Sequence, residues 1–340
     1  MNFMVDIDLK KLDKPIAYGN KILLTGSCFT EHIGNTLQQL KFDVLQNPNG
    51  ILFDPQSVCS SLISYVECKT YSEKDFFQLN GVWHSWQHHS RFSNTQLEKA
   101  VEAVNVSQQK AHNFLKQADW LIITLGSAFS YQLMGTPENS GTILRTLSQS
   151  KGVANCHRAP AKWFSKHLLT IEEIITALDE TIQRLFFFNN KVRIIFTVSP
   201  VRHIRDGVIN NNRSKARLIE AVHHMVNKFD RLYYFPAYEL LIDVLRDYRF
   251  YDVDLVHPNF IATQFVLQKF EECCIDEKAA GLMKEVEKIL IARKHKPLYP
   301  DSQAHQEFLK NHFEKAKTLQ QQYPFLNFEE ELNYFSKQIL

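Results

Sequence analysis

Five short apolar runs, each leaving through polar or glycine residues, constrain the fold of this 340-residue chain more than any other feature. They are Lys21–Thr25, Phe42–Leu45, Trp120–Leu125, Val192–Val198 and Leu232–Phe235. A strand that is apolar on both faces has to be covered on both faces, which is the condition of a buried parallel sheet. Helical patterns lie between the runs, at Thr30–Leu40, Pro55–Val66, Gln96–Gln117, Thr170–Phe188 and Ser214–Phe229. Alternation at this spacing predicts a doubly wound α/β fold. It is a three-layer αβα sandwich around a central parallel sheet of about five strands.

Two stretches interrupt the alternation. Tyr71–Asn94 is rich in aromatic residues and histidines and reads as a hairpin or cap. Tyr131–Lys166 carries Gly, Pro, Asn and Ser without a clear period and reads as a long loop on the active side. After Pro297 the pattern turns to polar helix, at Ser302–Gln321 and Asn327–Ile339. The reading therefore divides the chain into an α/β domain over 1–296 and a helical C-terminal appendage over 297–340.

Composition excludes several classes. The formal net charge is +2, with no concentration of Lys and Arg, which argues against a nucleic-acid binder. No run of 18 apolar residues is present, so no transmembrane helix is expected. Met1–Lys14 mixes acidic, basic and apolar residues, unlike a secretory leader, and a cytoplasmic protein is expected. The six cysteines (Cys28, Cys59, Cys68, Cys156, Cys273 and Cys274) form no CxxC pair, which suits reduced thiols rather than disulfides or a zinc site.

Chemistry concentrates at two places. Gly26-Ser27 leaves the first apolar run, and Asp254-Leu255-Val256-His257-Pro258 follows the last. Ligands of such a sheet bind beyond the carboxyl ends of its strands, where Ser27 stands at the start of a helix whose free N–H groups favour an oxyanion. A serine hydroxyl needs a base to become a nucleophile; His257 is the candidate, with Asp254 to hold its ring. The spacing of three residues predicts that Asp254 and His257 share one face of a helical turn. The bland alternative is that Ser27 caps a helix and His257 is a half-buried polar residue.

On these residues the sequence resembles the GSCFA family, a branch of the SGNH or GDSL-like hydrolases. Gly26-Ser27-Cys28-Phe29 matches the name-giving motif, with Thr30 in place of the final Ala. The resemblance extends over Asn47-Pro48-Asn49-Gly50-Ile51, Thr124-Leu125-Gly126, Asn155-Cys156-His157 and Val198-Ser199-Pro200-Val201. It continues through Tyr248-Arg249-Phe250-Tyr251 to Asp254 and His257, and covers roughly residues 20 to 270. It implies an SGNH/flavodoxin-like fold and a serine esterase acting through an acyl-enzyme on Ser27. The substrate class it suggests is an O-acylated carbohydrate or another small acyl ester. It also implies that Ser27 is the first oxyanion donor and Gly50 the second. The asparagine expected after Gly126 is absent, because the chain reads Gly126-Ser127-Ala128; Ser127 or Asn155 is left to take its place. No metal and no organic cofactor is implied.

Other clusters compete for a role. Trp83-His84-Ser85-Trp86-Gln87-His88-His89-Ser90 invites a metal reading, but it lacks an acid or Cys, and alternation splits its histidines between two faces. A pocket wall is the better reading, with His89 toward substrate. Gly126 and the loop residue His157 join the expected substrate pocket. Arg202, His203, Arg205 and Asp206 leave the fourth strand. Arg202 either recognises an anionic or polyol substrate or is a solvated charge. Cys28 and Cys156 are weaker rivals as nucleophile. Two other functions remain open at this stage: acyl transfer to a sugar hydroxyl, and a non-catalytic carbohydrate or metabolite binder on the same fold. A homo-oligomer also stays open.

Overall fold

Each run of the sequence becomes a strand because its two faces meet different helices. The computed structural model describes residues 5–134 and 152–338. In chain order its strands are β1 (Lys21–Gly26), β2 (Asp43–Gln46), β3 (Phe77–Leu79), β4 (Val82–His84), β5 (Trp120–Leu125), β6 (Phe129–Leu133), β7 (Phe164–Leu168), β8 (Arg193–Val198) and β9 (Leu232–Tyr234). β1, β2, β5, β8 and β9 form the expected parallel sheet, in the order β2-β1-β5-β8-β9. All five lie within one residue of the apolar runs. Registers such as Leu23 opposite Leu121 and Ile123 opposite Phe196 fix which residues share a face.

The first helices are α1 (Cys28–Gln39), α2 (Pro55–Val66), α3 (Leu97–Gln117), α4 (Ile171–Phe188) and α5 (Val208–Lys228). Residues of α2, α3, α4 and α5, among them Val58, Leu115, Leu178, Ile182 and Val222, pack with Leu23, Leu121, Ile123, Ile194 and Phe196. The alternate strand residues Ile22, Leu24, Trp120, Ile122 and Ile195 are buried as well, so both faces of the sheet are covered. Each such aliphatic side chain contributes about 1.5–3 kcal/mol by leaving water. Local signals set the helix starts. Asp54 accepts the Ser57 N–H (3.0 Å) ahead of Pro55, and Thr170 with Glu173 forms a capping box. α5 begins at Val208, ahead of the expected Ser214. A π-helical stretch, Leu240–Leu245, was not foreseen.

The two interruptions are both ribbons. β3 and β4 pair antiparallel across Asn80-Gly81, both at positive φ (51° and 77°), as a tight hairpin turn requires. β6 pairs antiparallel with β7, Phe129 opposite Leu168. The expectation of a featureless loop over Tyr131–Lys166 is thus corrected at its described ends. Residues 135–151 of that stretch lie outside the described residues. Strand character was hidden there because β7, Phe-Ser-Lys-His-Leu, is half-exposed and polar at its centre.

The chain divides into two compact units. One comprises Met1–Leu9, Lys21–Gly34 and Val44–Phe270; the other comprises Lys10–Asn20, Asn35–Asp43 and Glu271–Leu340. Within the second, Ile16 pairs with Ile275, and the Ile16 N–H donates to Cys274 O (2.8 Å). Its helices include Glu277–Lys294, Gln303–Gln322 and Glu329–Gln338. Glu331, 1% exposed, is held there by Lys41 (3.0 Å) and Arg293 (3.1 Å). The second unit thus gathers more than the segment after Pro297, because helix Glu277–Lys294 lies ahead of it. Among the described residues no helix is long and apolar enough to cross a membrane.

Candidate active site

The exit of β1 is built from glycine outward. Gly26 has φ 145°, and a Cβ there would run into the carbonyl oxygen of Thr124 on β5. Its N–H donates to Asn47 Oδ1 (2.9 Å), while its carbonyl accepts from Leu52 N–H (3.1 Å). Strand β1 is thereby pinned to the segment after β2 and lies flush against β5. In a sheet of this order the chain reverses direction between β1 and β5, the point at which doubly wound folds open their ligand crevice. Ser27 follows on one side of that point and Gly126 on the other.

Ser27 is 3% exposed, and its Oγ has no hydrogen-bond partner among the described residues. A buried, unpaired hydroxyl costs about 1–3 kcal/mol, so its retention needs a reason. Helix α1 starts at the next residue. Gly126 is where Phe53, His203 and Ser27 crowd together, too closely for a side chain. A Cβ at Gly126 would stand 2.9 Å from Phe53 Cβ, 3.2 Å from His203 Nε2 and 3.3 Å from Ser27 Cβ.

Asp254 and His257 meet within a single loop. Leu255 takes a left-handed conformation (φ 56°), and Asp254 Oδ1 accepts the N–H groups of Val256 (2.9 Å) and His257 (3.0 Å). Asp254 Oδ2 meets His257 Nδ1 at 2.6 Å. The backbone N–H of His257, then its ring and the Val256 N–H, hold the Asp254 carboxyl down to about 2. An ionised carboxylate on Nδ1 keeps the proton there and leaves Nε2 free to accept. Asp252 N–H donates to His257 O (2.8 Å) and Tyr251 pairs with Pro258, closing the base of the loop.

Arg202 braces the same loop. Its backbone N–H donates to Val256 O (3.2 Å), its guanidinium reaches Leu255 O (3.4 Å), and it lies 4.0 Å from the Tyr251 ring centroid. The Arg202 side chain therefore supports the acid–base loop. Arg249 pairs locally with Asp247 (2.9 Å).

His257 and Ser27 Oγ share no hydrogen bond. His257 nonetheless lies within electrostatic reach of His203 and His32. Its charge adds to the lowering of His203, where burial and Lys215 act more strongly, and of His32, where burial leads.

Of the groups named as oxyanion donors, the N–H groups of Ser27 and Gly50 and the Ser127 hydroxyl are engaged inside the protein. Ser27 N–H donates to Thr124 O (3.1 Å) and Gly50 N–H to Asn47 O (2.7 Å). Ser127 Oγ faces Ser214 Oγ (3.2 Å) and accepts from Phe129 N–H (3.2 Å). Asn155 Oδ1 closes a turn by accepting the His157 N–H (2.8 Å). Neither Ser127 nor Asn155 makes a hydrogen bond with Ser27.

The remaining expected pocket residues are placed as follows. His89 packs against Gly50, whose positive φ (85°) and missing Cβ admit it. His157 is buried in the aromatic core of the ribbons with Phe77, Trp86 and His84, and its Nε2 faces Ser85 O (2.8 Å). Burial lowers it to about 4. His88 lies against Tyr71 and Phe92 instead, so the histidines do split between two clusters. Among the described residues no three His, Cys, Asp or Glu side chains converge as metal ligands. Burial raises the Cys28 thiol and pushes Cys156 up to about 11, which leaves both poor nucleophiles.

Two further groups stand at the ends of β5 and β8: His203, which belonged to the Arg202–Asp206 cluster read from the sequence but was given no role of its own, and Lys215, which the sequence reading passed over. His203, at the exit of β8, presents Nε2 beside Gly126 and Ser27. Lys215 on α5 is fully buried and donates to Gly126 O (2.5 Å) and Ser199 O (2.6 Å), tying the ends of β5 and β8 together. Burial lowers its ammonium to about 7. A sequence signal existed for it: Lys215 falls on the stripe with Leu218 and Val222, the buried face of α5.

Comparison with known proteins places the chain. No functionally curated protein matches it. Among solved structures it is similar to a carbohydrate esterase family 3 protein from Talaromyces cellulolyticus. That match has 11% identity and a TM-score of 0.36, over 78% of this chain and 99% of the other. It is also similar to an acetyl xylan esterase (Est2A) from the rumen bacterium Butyrivibrio proteoclasticus. There the identity is 11% and the TM-score 0.34, over 77% of this chain and 65% of the other. The family model for the C-terminal domain of GSCFA domain proteins matches residues 286–340. The GSCFA family model itself matches residues 21–270, and the chain belongs to the GSCFA family.

Proposed function

We propose that the protein is a serine-dependent ester hydrolase. The observation that carries this reading is the 2.6 Å Asp254–His257 couple in the same unit as a buried, unpartnered Ser27 hydroxyl at the sheet's switch point. Ser27 Oγ attacks the ester carbonyl as His257 Nε2 takes its proton. Asp254 holds the Nδ1 proton and stabilises the imidazolium. Collapse of the tetrahedral intermediate releases the alcohol, protonated by His257, and leaves an acyl group on Ser27. A water, deprotonated in turn by His257, hydrolyses that acyl-enzyme.

Two conditions attach to this sequence. Ser27 Oγ has to be uncovered by the arriving ester, and the loop carrying His257 has to close on it. The loop is exposed and held mainly through its own residues and Arg202, which suits closure; catalytic hydrogen bonds are often formed only in the substrate complex. O-acylated sugars are the first substrates to try.

The test is labelling with a fluorophosphonate, combined with turnover of p-nitrophenyl acetate. Wild type is expected to be labelled and active, and Ser27→Ala to be neither. If wild type itself is unlabelled and inactive, the hydrolase reading fails and a binder on the same fold is favoured.

A further inference from the structure

The chemistry proposed above needs hydrogen-bond donors for the oxygen that gains charge, and most of the groups expected to supply them are engaged elsewhere. The N–H groups of Ser27, Gly50 and Gly126 donate to Thr124 O, Asn47 O and Phe53 O. The Ser127 hydroxyl is taken up by Ser214 and Phe129. One donor beside Ser27 is not committed. Among the described residues neither ring nitrogen of His203 has a hydrogen-bond partner, although its backbone N–H is fixed by Asn211 Oδ1 (2.8 Å). Its Nε2 and Ser27 Cβ approach the same point over Gly126, 3.2 Å and 3.3 Å from where a Cβ would lie, an approach that only a residue without a side chain allows. The Phe53 ring lies 5.1 Å from the imidazole, centroid to centroid, on the same space.

On the serine-hydrolase reading, we infer that His203 is a catalytic residue: its Nε2–H donates to the substrate carbonyl oxygen as that oxygen becomes an oxyanion. It thereby does the work of the asparagine that is missing after Gly126. The two histidines then divide the labour by environment. His257 has a carboxylate on Nδ1 and is half-exposed, as a proton shuttle requires. His203 has no carboxylate bonded to it; the nearby Asp206 is engaged by Lys166. Burial, then the charge of Lys215, lower His203 to about 4, with Asp206 opposing and His257 and Lys166 adding. At neutral pH it is an uncharged imidazole, a weak acceptor for the serine proton and a competent N–H donor. A neutral histidine polarising a carbonyl is known chemistry.

The experiment compares His203→Met, which fills the space without a donor, with His203→Gln, whose Nε2 amide restores one. Kinetics on p-nitrophenyl acetate are the readout. Removing one oxyanion donor lowers kcat by about 10²–10³-fold. The expected result for the Met variant is that loss with KM unchanged, since the interaction forms only in the transition state. The Gln variant is expected to return to within about tenfold of wild type. A Met variant within threefold of wild-type kcat, or a loss that Gln does not recover, overturns the proposal. Should the Met variant fail to fold, His203→Glu is compared with His203→Gln: a carboxylate there repels the oxyanion, and equal activity of the two overturns the proposal. A wild type that is itself inactive and unlabelled overturns the hydrolase reading, and this proposal with it. An active wild type indifferent to His203 overturns this proposal alone.

Discussion

Ser27 and the Asp254–His257 couple, proposed above as nucleophile and base, are held in opposite ways. Ser27 stands in the interior, behind a glycine that only fits flush against β5, with Gly126, Phe53 and Lys215 gathered around the ends of β5 and β8. Asp254 and His257 stand on an exposed loop whose shape comes from its own backbone and from Arg202. The first region gains its geometry from the packed core, so it is positioned firmly and fails by unfolding. The second gains its geometry from local hydrogen bonds, so it can move and fails without the fold noticing. On the hydrolase reading proposed above, a substrate has to reach a buried hydroxyl, and a firmly packed half beside an exposed, locally held half suits that.

Substitutions can break that contrast. The largest effect is expected from Asp254→Asn, which leaves the loop shape but cannot hold the ring proton in the same way. A drop of about 10³–10⁴-fold in kcat with unchanged melting temperature is expected. The Asp254 carboxyl lies near 2 in the folded chain, below the usual carboxylate value. Its contribution is therefore complete above about pH 4 and fades only as pH falls toward 2. The acid limb of a pH–rate profile at pH 4–7 should accordingly not be set by Asp254. A profile whose limb moves with Asp254→Glu would show otherwise.

Next in size is Gly26→Ala. Strain at φ 145° and the clash with Thr124 O are expected to cost about 3 kcal/mol in denaturant unfolding. This loss belongs to the rigid half, and a variant of wild-type stability would contradict the packing described here.

Lys215→Met is expected to cost about 1–3 kcal/mol at pH 9, because Gly126 O and Ser199 O lose their donor. The folded-state value of Lys215 is near 7, while an unfolded lysine titrates near 10.4. Between those values the unfolded chain binds the extra proton, so raising pH stabilises the folded form. Wild-type stability relative to Lys215→Met should therefore grow from pH 7 to pH 10; a constant difference would mean that Lys215 is charged throughout.

Smallest is Arg202→Ala. Losing the contact with Leu255 O and the Tyr251 ring should lower kcat by under tenfold and leave melting unchanged. A variant that instead raised KM alone would return Arg202 to a substrate-binding role.

Much of the sheet was legible because a strand buried on both faces writes an unbroken apolar run. Trp120–Leu125 and Lys21–Gly26 are such runs, and six residues suit a buried strand and are too few for a core helix. The β6–β7 ribbon was not legible, because Lys166 and Ser165 are polar and its pairing joins residues far apart in sequence. The Asp254–His257 partnership could be expected from a spacing of three residues, since both ends of the contact lie on one loop. Its left-handed Leu255 could not, because a leucine does not announce positive φ.

By itself, then, the sequence determined the parallel sheet and the position of Ser27 at its edge and pointed to the Asp254–His257 contact, all of which rest on local pattern or short spacing. Only the tertiary structure decided that the N–H groups of Ser27 and Gly50 are engaged, that His203 Nε2 comes up beside Gly126 and Ser27, and that Lys215 ties two strand ends together. Those facts depend on which strand lies next to which. Contacts between residues separated by about a hundred positions are set by packing, and no local pattern encodes them.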